Sequence, residues 1–383
     1  MEPSMRIAVV GAGIAGLALA SGMHRLGIEA HVFERAPEVR ASGAGITLAP
    51  NGLAALDSLG YGPAVRALQR QQSGLTGGLR DPRGRWLMRL PVELTSRSLV
   101  LDRAELHRLL LAGVPEDAVH TGCTAVGADL ESGALSIETA AGQQVTEHFD
   151  LVVGADGLHS RLRTAWPDDP GIRYAGYSAW RGITSSTFDT GRIGAETWGT
   201  RARFGVAPLH DGRVYWFAVH TTPEPTSLAP QRGRLLALFG HWHDPIPGLL
   251  AATPTEAIQY LPIRELAGDL GSVTRDRAVL IGDAAHAMTP NLGQGACQGL
   301  EDAAALVALL ARDENGRGLD AQGLGSLLSE YDRKRRRRAQ RVARMSRWLG
   351  SAAHSGGPRL ASLRNTTFRL TPDSLLTGSA QHR

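Results

Sequence analysis

Residues 277–302 read RAVLIGDAAHAMTPNLGQGACQGLED. Ala278 to Ile281 is a short apolar run that stops at Gly282-Asp283, and Pro290 to Gly295 (PNLGQG) is a glycine-containing loop feeding a helix of apolar periodicity. The reading is a buried strand, a Gly-Asp turn at its carboxyl end, and a loop presenting backbone N–H groups where the next helix begins. Such a place favours negative charge. The N-terminus repeats this logic. Arg6 to Val10 (RIAVV) predicts a strand, and Gly11-Ala12-Gly13-Ile14-Ala15-Gly16 a tight turn opening a helix to Gly27. Ala30 to Phe33 predicts a second strand ending at Glu34, eighteen residues past the last glycine. Together these predict an α/β fold with a Rossmann-like, mostly parallel sheet.

The chain has 383 residues, 43% hydrophobic and 20% charged, enough for a large core and more than one lobe. No stretch approaches the roughly 20 uncharged apolar residues of a membrane span. No basic n-region with a cleavage site precedes the first strand, so the expected address is cytoplasmic. Cys123 and Cys297 are the only cysteines, which supports neither a disulfide framework nor a dithiol centre. Lys334 is the single lysine, which removes most lysine-based mechanisms.

Ser98 to Gly113 (SLVLDRAELHRLLLAG) predicts a strand or turn leading into an amphipathic helix, and Phe149 to Ala155 (FDLVVGA) another buried strand. Between Trp166 and Gly271 turn residues recur, and short alternating strands such as Val214 to His220 (VYWFAVH) replace helical periodicity. This predicts an inserted, mainly antiparallel lobe, which Leu75 to Val92 is expected to join. The expected division is a cofactor domain over 1–72, 98–168 and 270–330, a substrate-binding sheet domain over 73–97 and 169–269, and a C-terminal helical segment and tail over 331–383. The inserted lobe and its border hold Trp166, Trp180, Trp198, Trp216 and Trp242, a candidate enclosure for an apolar ligand.

The N-terminal glycines permit a tight turn and close approach of a pyrophosphate, the helix start supplies donors, and Glu34 can accept from ribose hydroxyls. An acid there favours FAD or NAD over an NADP phosphate. Gly154-Ala155-Asp156-Gly157 closes the FDLVVGA strand, and by itself an Asp-Gly at such a place is an ordinary turn. Asp283 can bond sugar or ribityl hydroxyls. The PNLGQG donors suit the N1–C2=O edge of a reduced flavin, where negative charge accumulates.

These motifs in this order resemble the class A, single-component FAD-dependent aromatic hydroxylases, among them para-hydroxybenzoate, salicylate and urate hydroxylases. The resemblance spans roughly residues 5 to 345 and includes Gly43-Ala44-Gly45-Ile46 with Pro50-Asn51-Gly52, and Arg103 in LVLDRAELHRLL. It implies FAD as cofactor, with Gly11, Gly13, Gly16 and Glu34 on its ADP half and Ala15, Arg35, Gly45 and Ile46 among its contacts. It further implies Arg103 and Asp283 near the pyrophosphate and ribityl chain, Gly293, Gln294 and Gly295 under the isoalloxazine, and Asp156 in a motif shared by FAD and NAD(P)H. The implied reaction is flavin reduction by NADH or NADPH, capture of O2 as a C4a-hydroperoxide near Pro290, and hydroxylation or epoxidation of an aromatic or other planar small molecule. The alternative on the same fold is an oxidase, dehydrogenase or reductase.

Arg203 and Tyr215 match in spacing an arginine–tyrosine pair facing substrate in the urate hydroxylase branch, and are the catalytic candidates with Pro290. Tyr174, Tyr177, Trp180 and Arg181 form a second candidate wall. His286 is read as a structural histidine, since no second ligand falls at metal spacing. The run Arg333 to Arg338 (RKRRRR) is read as a solvated helix face, with attraction to anionic lipid or nucleic acid as its other reading. No nucleic acid and no integral membrane partner is expected, and the oligomeric state stays open.

Overall fold

The computed structural model describes residues 5–39, 44–72, 74–229, 232–312, 320–354 and 356–370. Gly43 and the tail beyond 370 lie outside these. A six-stranded sheet runs in the order Thr274–Arg275, Ala278–Leu280, Leu151–Gly154, Arg6–Val10, Glu29–Glu34 and Val119–Thr121. All neighbours are parallel except the first two. Ile7, Ala8 and Val9, like Leu151, Val152 and Val153, are fully buried. A parallel sheet covered on both faces demands such unbroken apolar runs.

On one face, helix Ile14–Arg25 lies beside helix Gly295–Arg312. A Cβ at Gly22 would fall 2.6 Å from Val307 Cγ2, so the glycine sets how closely the two helices approach. A three-stranded antiparallel meander (Thr124–Asp129, Ala134–Glu138, Gln144–His148), which periodicity did not announce, follows strand Val119–Thr121.

The second large sheet has seven strands, in the order Gln259–Leu266, Ile172–Ile183, Val214–Thr221, Ala202–Pro208, Ile193–Trp198, Thr76–Arg80 and Trp86–Leu90. Its register sorts side chains by parity. Trp180, Phe204 and Trp216 face helices Arg232–Phe239 and Ile246–Ala251, where with Phe239 and Trp242 they form a closed core. The tryptophan enclosure expected for a ligand is therefore corrected. Trp180, Trp216 and Trp242 are packed away behind the sheet, and Trp166 belongs to the core of the parallel sheet. Of the five, Trp198 alone lies on the opposite, front face, with Arg203 and Arg364 over its ring at 5.6 and 5.0 Å.

Helix Ala321–His354 crosses the expected boundary at 330 and runs 34 residues. Its buried side includes Leu324, Leu328, Tyr331, Arg335 and Ala339. The run Arg333 to Arg338 is thus not one solvated face. Arg335 is 5% exposed and points inward, Nε donating to Asp302 Oδ1 at 2.8 Å and Nη1 to Glu301. Asp302, itself 1% exposed, also accepts from Gly282 N–H at 2.9 Å and from His286 Nε2 at 2.5 Å. Burial alone would raise its pKa, but the charge interactions with His286 and Arg335 and these hydrogen bonds outweigh it and hold the group at about 2.

Asp302→Asn leaves Arg335 and His286 facing each other without their shared anion, and is expected to cost about 3 kcal/mol of unfolding free energy in a urea melt. Because the folded pKa is depressed, the carboxylate's contribution is complete above its unfolded value of about 3.9 and fades as pH falls through about 2. The wild type should lose stability across that window more steeply than Asp302→Asn; parallel pH profiles would refute the account.

Candidate functional site

Loops at the carboxyl ends of four parallel strands converge on one edge, where α/β sheets hold ligands. Gly11 follows the first strand with φ 108°, and a Cβ there would meet Ala155 O at 2.5 Å, so only glycine lets the two loops touch. A Cβ on Gly13 would meet nothing within 4 Å, and as N-cap of helix Ile14–Arg25 it brings no side-chain acceptor. The first-turn N–H groups therefore point into open space. Gly16 closes on the Gly11 carbonyl, and Ala15 wedges its methyl between Gly282 and Gly299, joining the first motif to the third.

Glu34 accepts from Ala12 N–H at 3.0 Å and from Ala36 N–H at 2.9 Å, bracing the glycine turn from its side. Arg35 beside it is exposed. Asp156 Oδ2 accepts from Arg161 N–H at 2.8 Å, while its Oδ1 is buried without a partner. Arg163, fully buried, bridges this turn to the third motif by donating to Leu158 O at 2.9 Å and Ala284 O at 3.2 Å. Residue type gave no warning of that role.

Asp283 is exposed at the start of helix Asp283–His286, 3.9 Å from where a Gly295 Cβ would stand. Arg103 begins helix Arg103–Leu111 at the rim of the same cleft. Desolvation by the surrounding protein lowers its pKa, the Asp283 carboxylate opposes this, and the Arg181 cation adds to it. Strand Gly45–Leu48 pairs with Leu99–Asp102, which puts Gly45 and Ile46 beside Arg103. Pro290–Leu292 forms a single helical turn, exposed at Pro290 and ended by Gly293 at φ 62°. Gln294 and Asn51 exchange hydrogen bonds at 2.9 and 3.2 Å, which fixes the loop just before helix Gly295–Arg312. The cradle is glycine-lined, with donors at two helix starts, a buried carboxylate oxygen without a partner, and an Arg–Asp pair between. That donor set fits FAD.

The front face of the seven-stranded sheet turns toward this loop. Arg203 Nη2 donates to Asn291 Oδ1 at 2.5 Å and its Nη1 lies 3.6 Å from Glu196. Asn291 in turn donates to Tyr177 Oη at 2.8 Å. Tyr215 packs its ring on Gly45, and burial raises its pKa against the pull of Arg181. Arg203 and Tyr215 share the face but stand four rows apart, about 13 Å along the strands. The sequence pair is therefore a frame rather than a contact.

Between them lie Gly205, Arg181 and Phe217; a Cβ on Gly205 would collide with the Phe217 ring at 2.1 Å, so the ring lies flat across that strand. Phe217 is partly exposed and was not a sequence candidate, although its even spacing from Tyr215 was visible. The second wall is split by the same parity. Tyr177 and Arg181 face the cleft and Trp180 does not, while Tyr174, beyond a bulge, is spent on Ser178 and Thr222.

A cavity of about 210 Å³ opens beyond Asn291, lined by Tyr177, Thr221, Thr289, Arg347, Gly350 and His354 among others. His354 stacks on Tyr177 at 4.2 Å; burial, with the Arg203 cation, drops its pKa to about 3, so it is neutral. Among the described residues no three His, Cys, Asp or Glu side chains group as a metal site, and no helix is long and apolar enough to cross a membrane.

Residues 4–346 match the family model described as an FAD binding domain. The aurachin C monooxygenase/isomerase of Stigmatella aurantiaca is 36% identical, covering 92% of each chain. The 2-heptyl-3-hydroxy-4(1H)-quinolone synthase of Pseudomonas aeruginosa is 35% identical over 97% of this chain and 95% of its own. Among solved structures, Klebsiella pneumoniae HpxO complexed with FAD and uric acid superposes with a TM-score of 0.85 at 26% identity, covering 99% of this chain and 96% of that one. The likeness extends over both sheets and the C-terminal helices, and the chain belongs to the FAD-binding family of monooxygenases, as an FAD-dependent enzyme of the aromatic hydroxylase type.

Proposed function

We propose that the chain uses NAD(P)H and O2 to hydroxylate a planar, nitrogen-containing aromatic ring laid against the front face of the seven-stranded sheet, opposite the loop Pro290 to Gly295. The carrying observation is the pairing of a flat, partly exposed Phe217 ring with two cations, Arg181 and Arg203, on one face turned to that loop. A substrate ring stacks on Phe217, the arginines take a carbonyl or ring-anion edge, and the Tyr215 hydroxyl fixes orientation. The names of two relatives support the class. One makes a hydroxylated 4-quinolone and the other holds uric acid, both flat heterocycles bearing ring nitrogen and carbonyl groups.

On the cofactor side, Gly11, Gly13 and Gly16 admit the pyrophosphate to the donors of helix Ile14–Arg25, and Glu34 keeps lone pairs for a ribose. Arg103 and Asp283 take the middle of the cofactor. Gly293 to Gly295 aim donors of helix Gly295–Arg312 at the ring edge. When bound, FAD supplies hydride acceptance from NAD(P)H and, once reduced, activation of O2. Pro290 and the front face of the sheet bound that meeting place, with Asp156 available to the nicotinamide side through its free oxygen. The same reading puts the enzyme in the cytoplasm, where NAD(P)H is supplied; the free thiols of Cys123 and Cys297 accord with it.

Gly13→Ala puts a methyl where nothing of the protein stands within 4 Å. It should leave the fold intact while weakening FAD at least about tenfold, read from flavin absorbance per protein and the melting of the apoprotein. Full flavin occupancy would remove Gly13 from the site. The reaction itself is tested with the holoenzyme, NAD(P)H and a panel of nitrogen heteroaromatics under ¹⁸O2. One compound should accelerate NAD(P)H oxidation and emerge carrying one labelled oxygen, and Arg203→Ala should cut that turnover about a hundredfold with FAD retained. Label drawn from water, or turnover indifferent to Arg203, would reject the proposal.

A further inference from the structure

Residues 333 to 370 hold eleven arginines, one lysine and no acidic residue, so the other 345 residues carry a formal net charge of −8. Many of these cations are engaged: Arg335 inside, Lys334 with Glu330, Arg336 with Asp332, Arg338 with Glu301, Arg344 with Asp269, Arg347 with Glu265. Arg333, Arg337, Arg341 and Arg359 are exposed and have no acidic partner among the described residues. Helical spacing strings Arg333, Arg337, Arg341, Met345 and Trp348 along one stripe about 22 Å long. Trp348 is 69% exposed and Met345 48%. On the following helix Pro358–Leu370, Leu360, Leu363 and Leu370 recur on the open side at 58%, 64% and 75%. Five of the nine large apolar side chains exposed among the described residues thus fall within 345–370, in the segment that also carries these cations.

We propose that this stripe docks the enzyme on an anionic lipid surface, its arginines against headgroup phosphates and Trp348, Met345 and the neighbouring leucines in the interfacial layer. Exposed apolar side chains interleaved with unpaired arginines suit a bilayer boundary, where one end of the residue set meets phosphate and the other meets acyl chain. A nucleic acid needs the cations but leaves the leucines, methionine and tryptophan in water. A second copy paired about a two-fold axis would set like charges against each other. The turn bearing Trp348 also supplies Arg347, Gly350 and Ser351 to the 210 Å³ cavity, so docking brings that opening to within a helical turn of the lipid. The inference does not rest on the reaction proposed above.

Flotation of the FAD-loaded enzyme with vesicles decides it. The enzyme should rise with vesicles containing about a third phosphatidylglycerol, stay behind with pure phosphatidylcholine, and be released by about 0.5 M NaCl. The double variant Arg337→Glu/Arg341→Glu should lower the bound fraction's partition constant about tenfold or more. Trp348→Ala should lower it several-fold, with FAD content and NAD(P)H oxidation in vesicle-free buffer unchanged for both. Failure to float with anionic vesicles, equal flotation of the variants, or retention of duplex DNA in place of vesicles would each overturn the proposal.

Discussion

A single buried carboxylate, Asp302, ties the cofactor edge to the rest of the molecule. It accepts from the Gly282 N–H behind the Gly-Asp turn, from His286 one helical turn later, and from Arg335 on the long C-terminal helix. An isolated carboxylate at that depth would be expelled or protonated; here Arg335, His286 and the Gly282 N–H together hold it charged. Asp283 and the loop from Pro290 to Gly295 are consequently positioned from behind, and their front edges stay free for ligand.

The sheet across the cleft divides labour by parity. One set of alternating residues, Trp180, Phe204 and Trp216, closes a dry core with two short helices. The other set, Arg181, Arg203, Tyr215 and Phe217, is presented to the flavin-side loop. The bulky core makes the polar face rigid, and Asn291 links the faces of the cleft by holding Arg203 and Tyr177 at once. Asn291 thus couples the position of Arg203 to the loop carrying Pro290.

Much of this was legible in the residue order. The strand-glycine-helix sequence around Gly11 and the run from Ala278 to Asp302 specify local geometry through glycine and apolar periodicity, and the observed turns follow. The inserted sheet was legible from alternation, yet which side of it faces ligand was not, because parity names two faces without saying which one meets a partner 70 or more residues away. The tryptophans misled for this reason. Arg163 and Asn291 act through partners more than 80 residues distant and leave no local signal. Arg335 was recoverable, since Leu324, Leu328, Tyr331 and Ala339 mark its helix face as inward.

That last case generalises within this chain. Arg335 and Arg337 are two residues apart in one basic run, but about 200° apart around the helix. The first neutralises Asp302 in the core; the second stands in solvent on the line leading to Trp348. Counting charges merges the two, and only helical phase separates them. The bonds of Arg335 to Asp302, Glu301 and Gln298 hold the helix in the phase that leaves Arg337 and Arg341 outside. The exposed stripe and the flavin-side turn are thereby locked in register by the same ion pair.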